Sequence, residues 1–411
     1  MKVRIPQHAP VRQFPIVDDQ LVIGGHPITK LAEKVGSTPF YAYDRQAITD
    51  RVQSLRALLP DGVELHYAIK ANPMPDVVKH LAELVDGMDV ASLGELKLAL
   101  QGGANPAHIS FAGPSKKDAE LIAAIENEIT VNVESPGELK RINRLGAELG
   151  IRPLVAIRVN PDFELKSSGM KMGGGPKPFG IDAEKVPQVL RQISKLDVHF
   201  RGFQIFGGSQ NLKADSLMEA HIACFELANK LIDATPLSVE TLNVGGGFGI
   251  PYFPGEEPLD VSPVTENLSR LVQRWRQRFP KCSVVLELGR YLVGEAGIYI
   301  CKVIDRKVSR GTTYLVTDGG LHHHLSASGN LGQLIRKNYP VINPTKVFGG
   351  TREKVSVVGP LCTPLDILAE RIELGESYPG DLIAVLQSGA YGYSASPIHF
   401  LSHPEAIEVI V

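Results

Sequence analysis

Short runs of apolar and β-branched residues alternate, from about residue 37 onward, with longer stretches in which apolar positions recur every three or four residues. FYAYD precedes a helical stretch at 45–58, ELHYAIK precedes one at 75–85, and MDVAS precedes one at 93–101. HISFA, ITVNV, PLVAIRV, VHFRGFQIF and TLNVG continue the beat, each with a helix candidate behind it. Strands joined through helices predict a parallel sheet. Eight such strands over about 250 residues suit a closed (β/α)8 TIM-like barrel better than an open sheet, which puts reactive side chains at the C-terminal ends of the strands.

After residue 285 the rhythm changes. YLVGEAGIYICKVIDRKV, TTYLVTDG, EKVSVVG and DLIAVLQ are strand-like runs separated by Gly, Pro and polar turns, predicting a C-terminal β-sandwich or β-barrel. QLVIGG, near the N-terminus, is a short strand able to join that later sheet. The predicted organisation is therefore an α/β barrel over 37–285 and a β domain built from 1–36 and 286–411.

Composition narrows the function. The 43 basic residues nearly balance the 45 acidic ones, and no block of like charge tracks phosphates or an anionic bilayer, so neither nucleic acid nor membrane is expected as a partner. The apolar runs break before a membrane span is reached, and MKVRIPQHAPVRQFPIVDDQ has no signal-peptide core, which predicts a cytoplasmic protein. Cys224, Cys282, Cys301 and Cys362 lack any metal-ligand spacing, so no disulfide framework and no metal are expected.

Three segments carry chemistry. In HYAIKANP an apolar β-branched strand ends on Lys70 beside a turn. A lysine at the dry end of a strand loses ammonium solvation, and its neutral amine can condense with an aldehyde. NVGGGFGIPY places glycines directly after a strand, where backbone N–H groups can approach a phosphate closely. Glu287-Leu288-Gly289-Arg290 offers a carboxylate, an amide and a guanidinium within four positions, a set suited to a heterocyclic nitrogen and a phosphate.

HYAIKANP, DVASLGEL, GGGFGIPY, ELGRYLVGEAG, GPLCTPLD and GAYGYSASP follow one another along nearly the whole chain. In this order and spacing the chain resembles the pyridoxal-phosphate-dependent decarboxylases of the group containing diaminopimelate, ornithine and arginine decarboxylases. Their fold is an alanine-racemase-like, fold type III barrel with a β domain. The resemblance implies pyridoxal 5'-phosphate held covalently by Lys70, with Glu287 pairing with its ring nitrogen and keeping it protonated. It further implies Ser209, Gly246, Gly247, Gly289, Arg290 and Tyr391 on the phosphate side, Arg158 facing the ring oxygen, and Asp89 and Glu95 around the lysine. Cys362 would protonate the α-carbon after CO₂ leaves, from a loop contributed by the neighbouring subunit, so a homodimer with shared active sites is implied.

The departures concern the substrate. Phe206 stands where diamino-acid decarboxylases usually have a ring-stacking His, keeping the stacking surface without its charge. After Cys362, where an acid would meet a distal ammonium, the chain has Thr363, Pro364 and Leu365 before Asp366. Burying an ammonium without its counter-charge costs roughly 3–5 kcal/mol. The stretch 318–340 also lacks the Arg-Pro-x-x-Tyr segment of diaminopimelate decarboxylases. SSGMKMGGGPKPFG, at 167–180, reads as a lid carrying Lys171 and Lys177. These features resemble a divergent subgroup associated with secondary metabolism or exosortase-type, exopolysaccharide-linked export, some of which act on carrier-tethered aminoacyl groups. The expected substrate is a small amino acid or an aminoacyl-carrier protein, with Lys171, His322, His324, Thr363 and Asp366 as candidate contacts. Consecutive histidines His322 to His324 on a strand would alternate faces and could not share one ion. A conventional diamino-acid decarboxylase, an amino-acid racemase and an inactive regulator are the competing readings.

Overall fold

A computed structural model describes residues 7–164, 169–171, 173–234 and 237–411. The chain forms two compact units, one of residues 51–250 and 259–289, the other of 1–50, 251–258 and 290–411.

The first unit is the barrel. Its strands are β1 Val63–Ala68, β2 Gly87–Val90, β3 Ile109–Phe111, β4 Thr130–Val133, β5 Leu154–Asn160, β6 His199–Ile205, β7 Thr241–Asn243 and β8 Ser283–Leu288. Neighbours in sequence pair in parallel, and β8 pairs with β1 to close the ring. Helices such as Leu93–Gln101, Pro136–Leu149, Ala214–Asp233 and Ser262–Arg278 cross between the strands. Ser92 and Ser135 cap two of them, accepting from Glu95 N at 3.2 Å and Glu138 N at 3.1 Å. Pro136 fits the first turn of its helix, and Gly150 ends that helix at φ +67°.

Every β8 residue after Ser283 is buried, as a strand sandwiched between barrel interior and helices demands. The interior itself is polar at several levels: His66, Asp89, Arg158, Gln204 and Glu287 are buried strand residues.

In the second unit, Gly297–Ser309 is the central strand. It pairs antiparallel with Thr312–Thr317, Leu382–Val385 and Phe40–Tyr43, and Phe40–Tyr43 in turn pairs in parallel with Ile407–Ile410. Arg352–Val358 and Ile367–Gly375 extend the mixed sheet. Phe14, Leu21, Ile23, Ile28, Leu31, Phe40, Ile298, Ile300, Leu382 and Leu386 form one buried cluster beneath it.

Two expectations change here. FYAYD, read as the first barrel strand, belongs to the β unit, and SVVLEL at 283–288 is the eighth barrel strand instead. The barrel boundary therefore moves from 37–285 to about residues 51–289, with 251–258 belonging to the β unit. QLVIGG does not join the large sheet; Gln20–Ile23 sits in its own small sheet with Ile16–Val17 and His26–Pro27. All four residues of Phe40–Tyr43 are buried, so local pattern cannot distinguish it from a barrel strand.

Candidate active site

Lys70 lies in a single 3₁₀ turn, Ile69–Ala71, directly after β1. Ile69 and Ala71 are buried, which fixes the turn and leaves the lysine between them pointing out of the core. The Lys70 side chain is 47% exposed, so the expectation of a dry amine is corrected: the protein positions the amine without desolvating it. Its Nζ stands 3.8 Å from Glu287 Oε1 and 5.7 Å from the centre of the Phe206 ring.

Glu287, near the end of β8, is buried. Its Oε2 accepts from Gln204 Nε2 at 2.8 Å and from Asn243 Nδ2 at 3.4 Å, leaving Oε1 toward the lysine. Burial first, then the neighbouring Asp89, push its carboxyl above the usual range, while Lys70 pulls the other way. Gln204 and Asn243 were not anticipated as site residues. Their only sequence signal is an amide near the C-terminal end of an otherwise apolar barrel strand.

Asp89 on β2 is buried, with one oxygen held by Ser110 Oγ and the other 3.5 Å from His66 Nδ1. Glu95 accepts from Ala91 N at 2.7 Å, clamping the turn that leads into its helix; burial raises its carboxyl, which Ala91 N–H and then Lys70 oppose. Glu138 repeats this arrangement two strand-helix steps later, accepting from Glu134 N at 2.8 Å.

Arg158, on β5, donates through Nη1 to Glu134 Oε1 at 2.9 Å and lies over the Phe179 ring at 5.1 Å. Glu134 also accepts from Gly113 N and Gly180 N, so it ties three loops at the same end of the barrel. This anchor was missed in the sequence, because Glu134 looks like any helix-preceding acid.

The glycine segment after β7 is shaped by its neighbours. Gly247 adopts φ +86°, and a Cβ on Gly246 would lie 2.0 Å from the Glu287 carbonyl oxygen. A Cβ on Gly289 would lie 2.9 Å from that of Ala71. Ser209 is on a two-residue strand that pairs with Met170–Lys171. Of the 167–180 segment, residues 167, 168 and 172 and the Lys171 side chain lie outside the described residues.

The β unit carries the remaining candidates. Arg290 donates to the Tyr252 hydroxyl at 3.0 Å and lies over the Tyr391 ring at 4.6 Å, while its buried Nε has no hydrogen-bond partner among the described residues. Cys362 is exposed. The loop around it is pinned by Asp366, whose oxygens accept from Leu321 N at 2.6 Å and Leu361 N at 2.8 Å. Asp366 is 3% exposed, so the expectation that it contacts substrate is corrected to that of a loop anchor. Thr363 Oγ1 accepts from Leu365 N at 3.3 Å within the same turn.

His322 to His324 lie in turns rather than on a strand. His324 Nε2 meets Ser388 Oγ at 2.9 Å, and His323 Nε2 meets the Pro404 carbonyl at 2.8 Å. His322 and His324 are both buried, and burial pushes each down to about 3, which favours the neutral ring.

Among the described residues, Glu64, His66 and His108 form a cluster compact enough for a metal ion. Burial opposes charge on His66, but Asp89 and Glu64 outweigh it and hold the ring's pKa up to about 9. Charge pairing accounts for the cluster without an ion, since His66 lies 3.5 Å from both Asp89 Oδ2 and Glu64 Oε2.

An amine at the C-terminal end of a barrel strand, beside a buried carboxylate held by two amides, defines an enzyme of carbonyl–amine chemistry. Residues 45–294 match the pyridoxal-dependent decarboxylase family's pyridoxal binding domain, and the chain belongs to that family. It is 39% identical to the L-glutamyl-[BtrI acyl-carrier protein] decarboxylase of Niallia circulans, over 93% of this chain and 90% of that one. It is 34% identical to the diaminopimelate decarboxylase of Aquifex aeolicus, over 96% and 91%. The diaminopimelate decarboxylase of M. jannaschii in complex with L-lysine superposes with a TM-score of 0.87 at 27% identity, covering 97% of this chain and 92% of that one. The protein is thus a pyridoxal-phosphate-dependent decarboxylase with a TIM barrel and a β domain. Among the described residues, no helix is long and apolar enough to cross a membrane.

Proposed function

We propose that this enzyme removes the α-carboxylate of an aminoacyl substrate whose far end is neutral or extended, as in an acyl-carrier thioester. One observation carries the reading. The Cys362 loop presents Thr363, Pro364 and Leu365, and its one carboxylate, Asp366, is occupied by two backbone amides. That loop keeps no acid for a distal ammonium. The Niallia circulans relative, named for a carrier-bound glutamyl substrate, supports the same choice.

The residues fit pyridoxal phosphate by chemistry: Lys70 for its aldehyde, Glu287 for its ring nitrogen and Arg290 Nε, without a partner among the described residues, for an anion. Ser209, Gly246, Gly247, Gly289, Arg290 and Tyr391 are assigned to its phosphate and Arg158 to its ring oxygen side. When bound, the cofactor supplies an electron sink for the pair left as CO₂ departs. Glu287 would hold the proton of the ring nitrogen through Oε1, since Gln204 and Asn243 already occupy Oε2. Phe206 offers an apolar, uncharged stacking face beside Lys70. Cys362 Sγ delivers the proton that replaces CO₂ on the α-carbon, acting from the second chain of a cytoplasmic homodimer. Asp366 is assigned to holding that cysteine's loop, and His322, His324 and Thr363 to shaping the protein around it.

The test is CO₂ release from holoenzyme given free L-glutamate, meso-diaminopimelate or glutamyl-carrier thioester. Turnover confined to the thioester is expected. Efficient turnover of free meso-diaminopimelate refutes the neutral-end reading and restores a conventional decarboxylase, as the Aquifex relative would suggest.

A further inference from the structure

We propose that His66 is a positioning residue, a buried imidazolium clamped between Glu64 and Asp89 that keeps the carboxylates of the Lys70–Glu287 site ionised. It sits on β1, four positions before Lys70, and is the register partner of Glu287 on β8. Its Nδ1 is 3.5 Å from Asp89 Oδ2 and its Nε2 is 3.5 Å from Glu64 Oε2. The ring is buried, and among the described residues neither nitrogen makes a hydrogen bond of ordinary length and angle. Charge, rather than a directed bond, holds it in place.

The groups around the ring come from several elements. Glu64 shares its strand, Asp89 comes from β2, Glu287 from β8, and His108, from the turn before β3, reaches Glu64 Oε2 at 3.2 Å. Asp89 is further oriented by Ser110, which accepts from Asn132 Nδ2 at 3.2 Å. A cavity of about 140 Å³ has Glu64, His66, His108, Asn132, Arg201 and Asn243 among its lining residues. Thr130, Thr241 and Ser283, which begin β4, β7 and β8, also line it, so it occupies the N-terminal end of the barrel. His66 thus stands between this cavity and the carboxylates beneath the cofactor-binding end.

The consequence is electrostatic. Asp89 is the largest charged influence pushing the Glu287 carboxyl upward, second only to burial. Two buried carboxylates without a counter-charge cannot both stay ionised, and the less stabilised one takes a proton. A protonated Glu287 is unable to hold the ring nitrogen in its protonated state. The positive ring at His66 cancels the field of Asp89 and leaves Glu287 as the acceptor the chemistry requires. The inference rests on the family's cofactor chemistry alone, so it stands whichever substrate the enzyme takes.

The test uses holoenzyme labelled with ¹³C at histidine Cε1. In the wild type, the His66 signal, assigned by its loss in His66→Gln, is expected to titrate well above the ordinary histidine value, and Glu64→Gln or Asp89→Asn should move it down. In His66→Gln, the pH midpoint of the bound cofactor's near-visible absorbance should shift by about one unit. The variant's kcat should fall while KM is unchanged. If His66→Gln proves unstable, Glu64→Gln gives the same absorbance readout from the side away from the cofactor, with a smaller shift expected. A wild-type His66 that titrates near 6.5, or absorbance profiles unchanged in the variants, overturns the proposal. Loss of free or tethered substrate preference has no bearing on these spectra, so failure here and failure of the substrate reading are separable.

Discussion

Asp366→Ala is the substitution whose effect follows most directly from geometry. The carboxylate accepts from Leu321 N at 2.6 Å and from Leu361 N at 2.8 Å, and the residue is buried. Each bond to a charged acceptor is worth about 1.5–3 kcal/mol, and removing the acceptor orphans both donors. Burial works against the gain, since it pushes this carboxyl upward, with the two amides opposing. A net loss of about 3 kcal/mol is therefore expected, concentrated in the segments the side chain joins. Hydrogen exchange reads it locally: amides of 320–324 and 359–366 should exchange roughly a hundredfold faster, since each 1.4 kcal/mol is a factor of ten. Asp366→Asn should lose most of the same protection, because its NH₂ turns a donor toward one of two donors. Cofactor absorbance should persist while CO₂ release falls, because Cys362 lies between Leu361 and Asp366 in the loosened loop. Unchanged exchange at both segments in Asp366→Ala would refute the anchor.

Lys70→Ala should abolish the covalent cofactor signal in the absorbance spectrum while the fold, read by circular dichroism, is retained, as the side chain is half exposed. Lys116 is buried and donates to Glu138 at 3.0 Å and to the Gly113 and Asn132 carbonyls at 2.8 Å, so Lys116→Ala strands a buried carboxylate and should cost about 3–5 kcal/mol in unfolding measurements. Because Asp89 and Glu64 raise His66 to about 9 against the opposing burial, its bridge contributes fully below 6.5 and is lost as pH rises through 9, a contribution of about 3 kcal/mol. His66 holds Glu64 down to about 2, so on the acid side the same bridge survives below 4.5 and fails as pH approaches 2. Thermal melts of wild type and His66→Gln across pH should converge at the alkaline end; a constant gap would refute the linkage. Cys362→Ala should keep cofactor binding and slow product formation, which a spectrum and a CO₂ assay measure side by side.

The proposed reactive set stands out in the sequence because its residues sit inside short local patterns. Lys70 falls in the turn just after a strand, Gly246 and Gly247 follow another, and Glu287 lies one residue from the end of a third. Each position follows from strand-then-turn geometry over a few residues, so spacing along the chain is enough to find them. Cys362 was proposed from its motif, while the neighbouring Asp366 proves to be held by two backbone amides, a setting that looks in sequence like one facing a substrate.

What the sequence by itself determined is the alternation of strand and helix and the family, whose motifs are the ground for the residues proposed to carry the chemistry. Only the tertiary structure decided which strands pair: Phe40–Tyr43 joined the β unit and Ser283–Leu288 closed the barrel, although both are apolar strands with the same local pattern. It alone brought Glu134 to Arg158, Gln204 and Asn243 to Glu287, and His66 between Glu64 and Asp89. The physical reason is that an apolar run records only that a strand will be buried, whereas its partners are selected by contacts from distant parts of the chain. The charge on a buried side chain depends on those same contacts, and it is settled when the barrel closes.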